Sequence, residues 1–226
     1  MLKNILIIGG TSGLGLELAK LYSALGHTIF ITGRKDPKIP NLQFLHFSIS
    51  HDSKDVISQI DNLVSKLDKI NTLIYVAGYY QKGQIDKLND EEILGMVNIG
   101  LTAPALLVQR LKNNPAKPLK IMIITSSSQY TPRELEPMYT ATKAGLGMLG
   151  ASLSLDSEIG KVLVVAPSGM KTPFWSKEAC DTSEYLDPKW VAERIIELSS
   201  GPFKYRFAKI IRNPQRVEIV ETRENK

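Results

Sequence analysis

Three side chains able to exchange a proton during turnover follow one another along the chain. Ser126 ends an apolar run, Tyr139 comes thirteen residues later and Lys143 four after that. Positions four apart share one face of a helix, so the Lys143 ammonium can approach the Tyr139 phenol. A nearby cation favours phenolate, which predicts a Tyr139 pKa lowered from about 10 toward neutrality. A serine hydroxyl at the adjacent strand end can hydrogen-bond the same substrate oxygen; Ser127 and Ser128 stand beside Ser126 as alternatives. Together these groups fit hydride transfer between a nicotinamide and a carbonyl or alcohol, with Tyr139 as the acid/base.

A second group of residues suits an anion. Gly9-Gly10-Thr11-Ser12-Gly13-Leu14-Gly15 follows an apolar run and precedes an amphipathic stretch. Glycines at 9, 13 and 15 let the backbone turn sharply, admit a pyrophosphate and let a helix pack close to its strand. The helix start, with Thr11, Ser12 and Leu14, presents unpaired amides to that anion. The next strand ends in Gly33-Arg34-Lys35. A site for NAD(H) places an acid there for the ribose 2′-hydroxyl, whereas a 2′-phosphate calls for arginine. NADP(H) with Arg34 as phosphate ligand is therefore expected over NAD(H); the alternative leaves Arg34 solvated and gives the ribose to Asp36.

The elements that must position these groups alternate along the chain. Short β-rich apolar runs over 5–8, 28–32, 42–47, 73–76, 121–125 and 162–166 predict buried strands. Between them, apolar residues at three- and four-residue spacing predict helices over 15–25, 54–67, 90–111 and 137–155. A further helix over 188–198 starts at Asp187-Pro188, and strands are expected near 207–211 and 217–220. Such alternation gives right-handed crossovers and a doubly wound parallel sheet covered on both faces, here as one domain over 1–226. Residues 171–187 have no strong period and follow the sixth strand, where an irregular segment is placed to cover a substrate.

Composition narrows the function classes. With 226 residues, 43% of them apolar and 23% charged, the chain is of ordinary globular make-up. One cysteine, Cys180, and three scattered histidines provide no metal cluster and no Cys-His pair, so no metal is expected. The net charge of +5 gathers late: from Gly201 on, seven basic residues face three acids. No nucleic-acid motif accompanies them, so a solvated basic edge is expected and no nucleic-acid partner. The uncharged stretch 93–109 is short for a bilayer span, and no secretory signal is visible; a soluble, cytoplasmic protein is expected.

The glycine loop 9–15, Val97-Asn98, Ser126, Tyr139-Thr140-Ala141-Thr142-Lys143 and the stretch Pro167 to Thr172 together resemble the short-chain dehydrogenase/reductase family. The likeness spans about residues 2 to 175, in the family's order. It implies a three-layer α/β/α Rossmann fold and an Asn-Ser-Tyr-Lys tetrad. In that tetrad Tyr139 is the general acid/base and Ser126 polarises the substrate oxygen. Lys143 binds the nicotinamide ribose and depresses the Tyr pKa, and Asn98 holds a water in a proton relay. Pro167 and Thr172 would contact the cofactor. A homodimer or homotetramer is implied through the helix bearing Tyr139 and the one bearing Asn98.

The chain departs from the family pattern at several positions. Ile8 replaces the usual Thr, with loss of a local hydrogen bond. Tyr75-Val76-Ala77-Gly78 replaces Asn-Asn-Ala-Gly, so the amides that brace the central sheet are missing. Ala77 and Gly78 remain, small enough for a cofactor to pass close to the backbone. Ser48 stands for the adenine-contacting Asp and Ser168 for the Gly after Pro167. The altered 75–76 pair keeps open a non-catalytic NADP(H)-binding sensor or regulator with the same fold.

Overall fold

The structure is a computed structural model that describes residues 3–113, 118–176 and 180–224. Positions 177–179 of the covering segment and Lys226 of the basic end lie outside the described residues. The elements run β1 (Asn4–Ile8), α1 (Gly13–Ala24), β2 (Thr28–Gly33), β3 (Leu42–His46), α2 (Ser53–Val64), β4 (Thr72–Tyr75) and α3 (Asp90–Val97). After α3 come α4 (Ala103–Lys112), β5 (Leu119–Ile124), α5 (Pro137–Leu153), β6 (Ile159–Pro167), α6 (Pro188–Leu198), β7 (Tyr205–Ile211) and β8 (Arg216–Arg223). All eight strands form one sheet in the order β3-β2-β1-β4-β5-β6-β7-β8.

The doubly wound expectation holds, with one correction at the edge. β1 to β7 pair in parallel, but β8 turns back and pairs antiparallel with β7. Only four residues separate the last two strands, too few for a crossover and enough for a hairpin. The basic end is largely engaged within the molecule: Lys209 lies 3.8 Å from Glu218 and Arg223 2.9 Å from Glu221.

Successive strand residues point to opposite faces. Leu6, Ile8, Leu73, Tyr75, Ile121 and Ile123 face α2, α4 and α5, where Ile60, Leu107 and Leu146 cover them. Ile5, Ile7, Ile74, Met122 and Ile124 face α1 and α6 and meet Leu18, Tyr22, Val191 and Ile195. Asp187 caps α6 as expected, accepting from the Trp190 amide at 2.9 Å.

The helix expected over 90–111 is not uniform. α3 widens into a π-helical stretch, Asn98–Thr102, before α4 begins. Pro104 supplies the reason: it has no N–H to give to residue 100, and its ring crowds that carbonyl. The whole run from Asp90 to Lys112 has 23 residues and mean hydropathy 1.4, long and apolar enough to cross a membrane by composition. Reading 93–109 as short therefore understated the helix. Its Ala103, Leu107, Val108 and Leu111 are buried in the core beside the sheet.

Candidate active site

The carboxyl ends of β1, β4, β5 and β6 open into one cleft of about 800 Å³, within the roughly 300–1,000 Å³ usual for ligand sites. Gly9, Thr11, Ser12, Gly13, Leu14, Gly15, Arg34, Ala77, Gly78, Ser126, Tyr139, Lys143, Pro167 and Thr172 all line it. Asn98 does not.

At one end of the cleft the β1–α1 turn forms an anion cradle. Gly9 has φ +86°, and a Cβ on Gly15 would stand 2.1 Å from the Gly9 carbonyl oxygen, so neither position admits a side chain without the turn shifting. Ser12, at the N-cap of α1, makes no side-chain cap hydrogen bond, and the first turn has no acid. Its amides are thus left for an external anion. The hydrogen bond expected to be lost at Ile8 is met from β2, whose Thr32 hydroxyl accepts from the Gly9 amide at 3.3 Å. Arg34 stands at the cleft edge, exposed. Asp36 instead accepts from the Lys38 amide at 2.8 Å, in a turn where Lys38 has φ 53°. These residues fit a dinucleotide.

At the other end, β5 delivers Ser126 and the first turns of α5 deliver Tyr139 and Lys143. Ser126 faces the Tyr139 phenol closely enough to lower its pKa, and its hydroxyl lies 3.4 Å from that of Ser128. Ser127 and Ser128 are occupied elsewhere: Ser127 accepts from Arg133 at 2.9 Å, and Ser128 contacts Arg133 at 3.2 Å and Glu136 at 3.1 Å. The Lys143 ammonium lies 5.6 Å from the centre of the Tyr139 ring and donates to the Ile124 carbonyl at 3.4 Å.

The electrostatics correct one expectation. Tyr139 is only 7% exposed, and burial pushes its pKa up rather than down; Ser126 and Arg133 lower it, and Glu136 raises it. Burial likewise brings Lys143 down to about 8. Desolvation disfavours the charged form of both groups and is the largest cause of each shift.

Asn98 also departs from its expected place. It is 1% exposed, and its side chain bridges to the segment after β3, donating to the carbonyls of His51 at 2.8 Å and Ser50 at 3.5 Å and accepting from Ser53 at 3.1 Å. With its amide engaged in this way, the side chain positions backbone; it is not displayed in the cleft as a ligand for a relay water. Tyr75, which replaces a bracing amide, reaches from β4 to the π-helical stretch and donates to the Ile99 carbonyl at 2.5 Å. A phenol thus braces the place where an amide was expected.

The covering segment is pinned at its base, where the Lys171 amide donates to Leu186 and the Leu186 amide to Gly169, both at 2.9 Å. Its aromatics lie over the catalytic pair. Phe174 stands 6.3 Å from Tyr139 and 5.1 Å from Trp175, and Trp175 stands 5.5 Å from Tyr185. Tyr80 touches three of them, at 5.2 Å from Tyr139, 5.9 Å from Phe174 and 5.3 Å from Trp175. Tyr80, Arg133, Glu136, Arg212 and His51 also line the cleft and were not singled out for it from sequence. For Tyr80 a signal existed, two tyrosines directly after Ala77-Gly78 at a strand's carboxyl end.

The family model described as short chain dehydrogenase matches residues 3–182. Among curated relatives, a dihydropteridine reductase of Dictyostelium discoideum is 28% identical over 89% of each chain. A solved short-chain dehydrogenase/reductase from Vibrio parahaemolyticus superposes with TM-score 0.74 and 26% identity, covering 91% of this chain and 98% of that one. The structure of BdcA in complex with NADPH superposes with TM-score 0.75 at 21% identity over 88% and 87% of the two chains, a likeness of fold.

Proposed function

The chain belongs to the short-chain dehydrogenase family, and on that premise we propose an NADP(H)-dependent oxidoreductase that interconverts a carbonyl and an alcohol on a small molecule. The single observation that carries this reading is that Ser126, Tyr139 and Lys143, with the ammonium 5.6 Å from the centre of the phenol ring, line the same cleft as the glycine turn. Gly9 to Gly15 would hold the cofactor's diphosphate, Arg34 its 2′-phosphate, and Ala77, Gly78, Pro167 and Thr172 the remainder. When bound, the nicotinamide supplies or accepts the hydride.

The chain's own residues do the rest. Ser126 hydrogen-bonds the substrate oxygen, and Tyr139, held as a neutral phenol, donates its proton to that oxygen as the carbonyl is reduced. Lys143, with a pKa of about 8, gains and loses a proton near neutral pH and can restore the phenol. Asn98 acts as a positioning residue for the backbone around 50–53. NADP(H) over NAD(H) rests on Arg34 at the cleft and Asp36 turned into its own loop. The bound NADPH of the BdcA structure accords with it. A cytoplasmic location, a homodimer or homotetramer, and no nucleic-acid or membrane partner complete the proposal.

The test is NADPH oxidation against a panel of carbonyl compounds. Carbonyl-dependent turnover is expected, and Tyr139→Phe should lower it by roughly 10²–10⁴-fold while NADPH still binds. Turnover unchanged in Tyr139→Phe would overturn the mechanism, and turnover with NADH alone would overturn the choice of cofactor.

A further inference from the structure

At the far end of the sheet from the cleft, the amino ends of the strands enclose a second cavity, of about 80 Å³. One water needs roughly 10–15 Å³ of such space, so several waters or one small oxyanion fit. Its position follows from register. Ile5 of β1 stands beside Thr72 of β4, Thr72 beside Lys120 of β5, and Lys120 beside Lys161 of β6. Neighbours in a parallel ladder point to the same face, and Lys3 lies two residues before Ile5 on that face. Three lysines are thereby brought to one cavity beneath the ends of α1 and α6, with Tyr22, His27 and Ser199 beside them.

No carboxylate lines this cavity among the described residues. The helix ends overhead carry partial negative charge, and Lys161 answers one of them by donating to the carbonyls of Gly201 at 2.6 Å and Ser199 at 3.2 Å. Lys120 and Lys3 donate to no carbonyl among the described residues. Lys120 is brought down to about 8, by burial first, then by Lys3 and by the charge of Lys161. Nδ1 of His27 is buried with no hydrogen-bond partner. Like charges gathered around a partly buried space, beside a ring nitrogen that lacks a partner, call for an anion between them.

We propose that this cavity binds a small tetrahedral oxyanion of phosphate chemistry, held by Lys3, Lys120 and Lys161 at the opposite end of the sheet from the catalytic cleft. Such a site is independent of the cofactor assignment. It gives the molecule a place where an anion stabilises the amino ends of β1, β4, β5 and β6 without entering the active site.

Inorganic phosphate is the probe, titrated calorimetrically into wild type and Lys120→Met at one ionic strength set with chloride. NADPH is present throughout, so that the α1 turn and Arg34 do not compete for phosphate. Saturable binding of one phosphate per chain is expected in wild type, weakened at least tenfold in Lys120→Met. Lys3→Met repeats the comparison with a residue outside the strands, in case Lys120→Met perturbs β5. Glycerol phosphate in a parallel titration identifies the source: binding as tight as phosphate supports a phosphomonoester ligand, and binding of phosphate alone supports the free ion. No saturable binding above the chloride background, or binding equal in wild type and both variants, would overturn the proposal.

Discussion

Burial disfavours the charged form of both Tyr139 and Lys143, and that condition shapes both chemistry and stability. Burial disfavours the ammonium of Lys143, whose pKa falls from 10.5 to about 8. Between about pH 8 and 10.5 the unfolded chain retains a proton that the folded chain has released, so this residue makes stability rise with pH across that window. Below pH 8 its full cost is present. Lys143→Met is therefore expected to abolish or strongly lower turnover yet stabilise the protein at pH 7 by on the order of 1–3 kcal/mol. Chemical unfolding of wild type and variant at pH 7 and pH 10 checks it; the gain should shrink at the higher pH. Arg34 makes a separate prediction. If its guanidinium grips a 2′-phosphate, Arg34→Ala weakens NADPH binding at least tenfold, about 1.4 kcal/mol, and leaves NADH binding nearly unchanged, as paired titrations would show. Ser126, Tyr139 and Lys143 were legible as a constellation because helix spacing is local. The direction of the Tyr139 shift was not, because it depends on Tyr80 and Phe174, which approach from other elements of the fold.

Among the elements, the β1–α1 unit was the most legible, since its glycines answer a backbone geometry that only glycine meets. The run from Asp90 to Lys112 was the least. Apolar spacing marks it as helical but cannot show the wider turn at Asn98–Thr102, where Pro104 withdraws a donor and the Ile99 carbonyl receives the Tyr75 phenol instead. What read as a missing brace is a different one, longer and reaching the helix. This weakens the ground for a non-catalytic regulator, which rested on the altered 75–76 pair. Tyr75 is fully buried, so Tyr75→Phe removes one hydroxyl and leaves a carbonyl partner short inside the core. A loss of roughly 1–3 kcal/mol is expected, read as a lower midpoint in urea at unchanged slope. Retained stability would show that the π-helical stretch satisfies its own carbonyls.

For the whole molecule, two surfaces compete as the interface of the proposed homo-oligomer. On one side, α3 exposes Leu94 (47%) and α5 exposes Met148 (66%), with Leu155 (76%) just past its end. The place of a Cβ on Gly145 is 2.9 Å from Leu101, so α5 lies close against the π-helical stretch and the two helices present one broad face. At the opposite edge of the sheet, β8 exposes Ile219 and Val220. There the apolar pair is flanked by Glu218, Glu221 and Arg223, charges that oppose strand-to-strand association at an open edge. The helical face is less guarded: Asp90 and Glu91 stand exposed a turn before Leu94 on α3, but on α5 Ala141, Met148 and Ser152 follow one another along an exposed stripe without a charge. The dimer is accordingly expected to form through α3 and α5, with the antiparallel β8 closing the other edge. Met148→Asp, placing a charge at the centre of that face, should convert a dimer to monomer in light scattering, whereas Ile219→Asp should leave the mass unchanged. The reverse outcome would assign assembly to the β8 edge, and a wild-type monomer would remove the helical face as an interface.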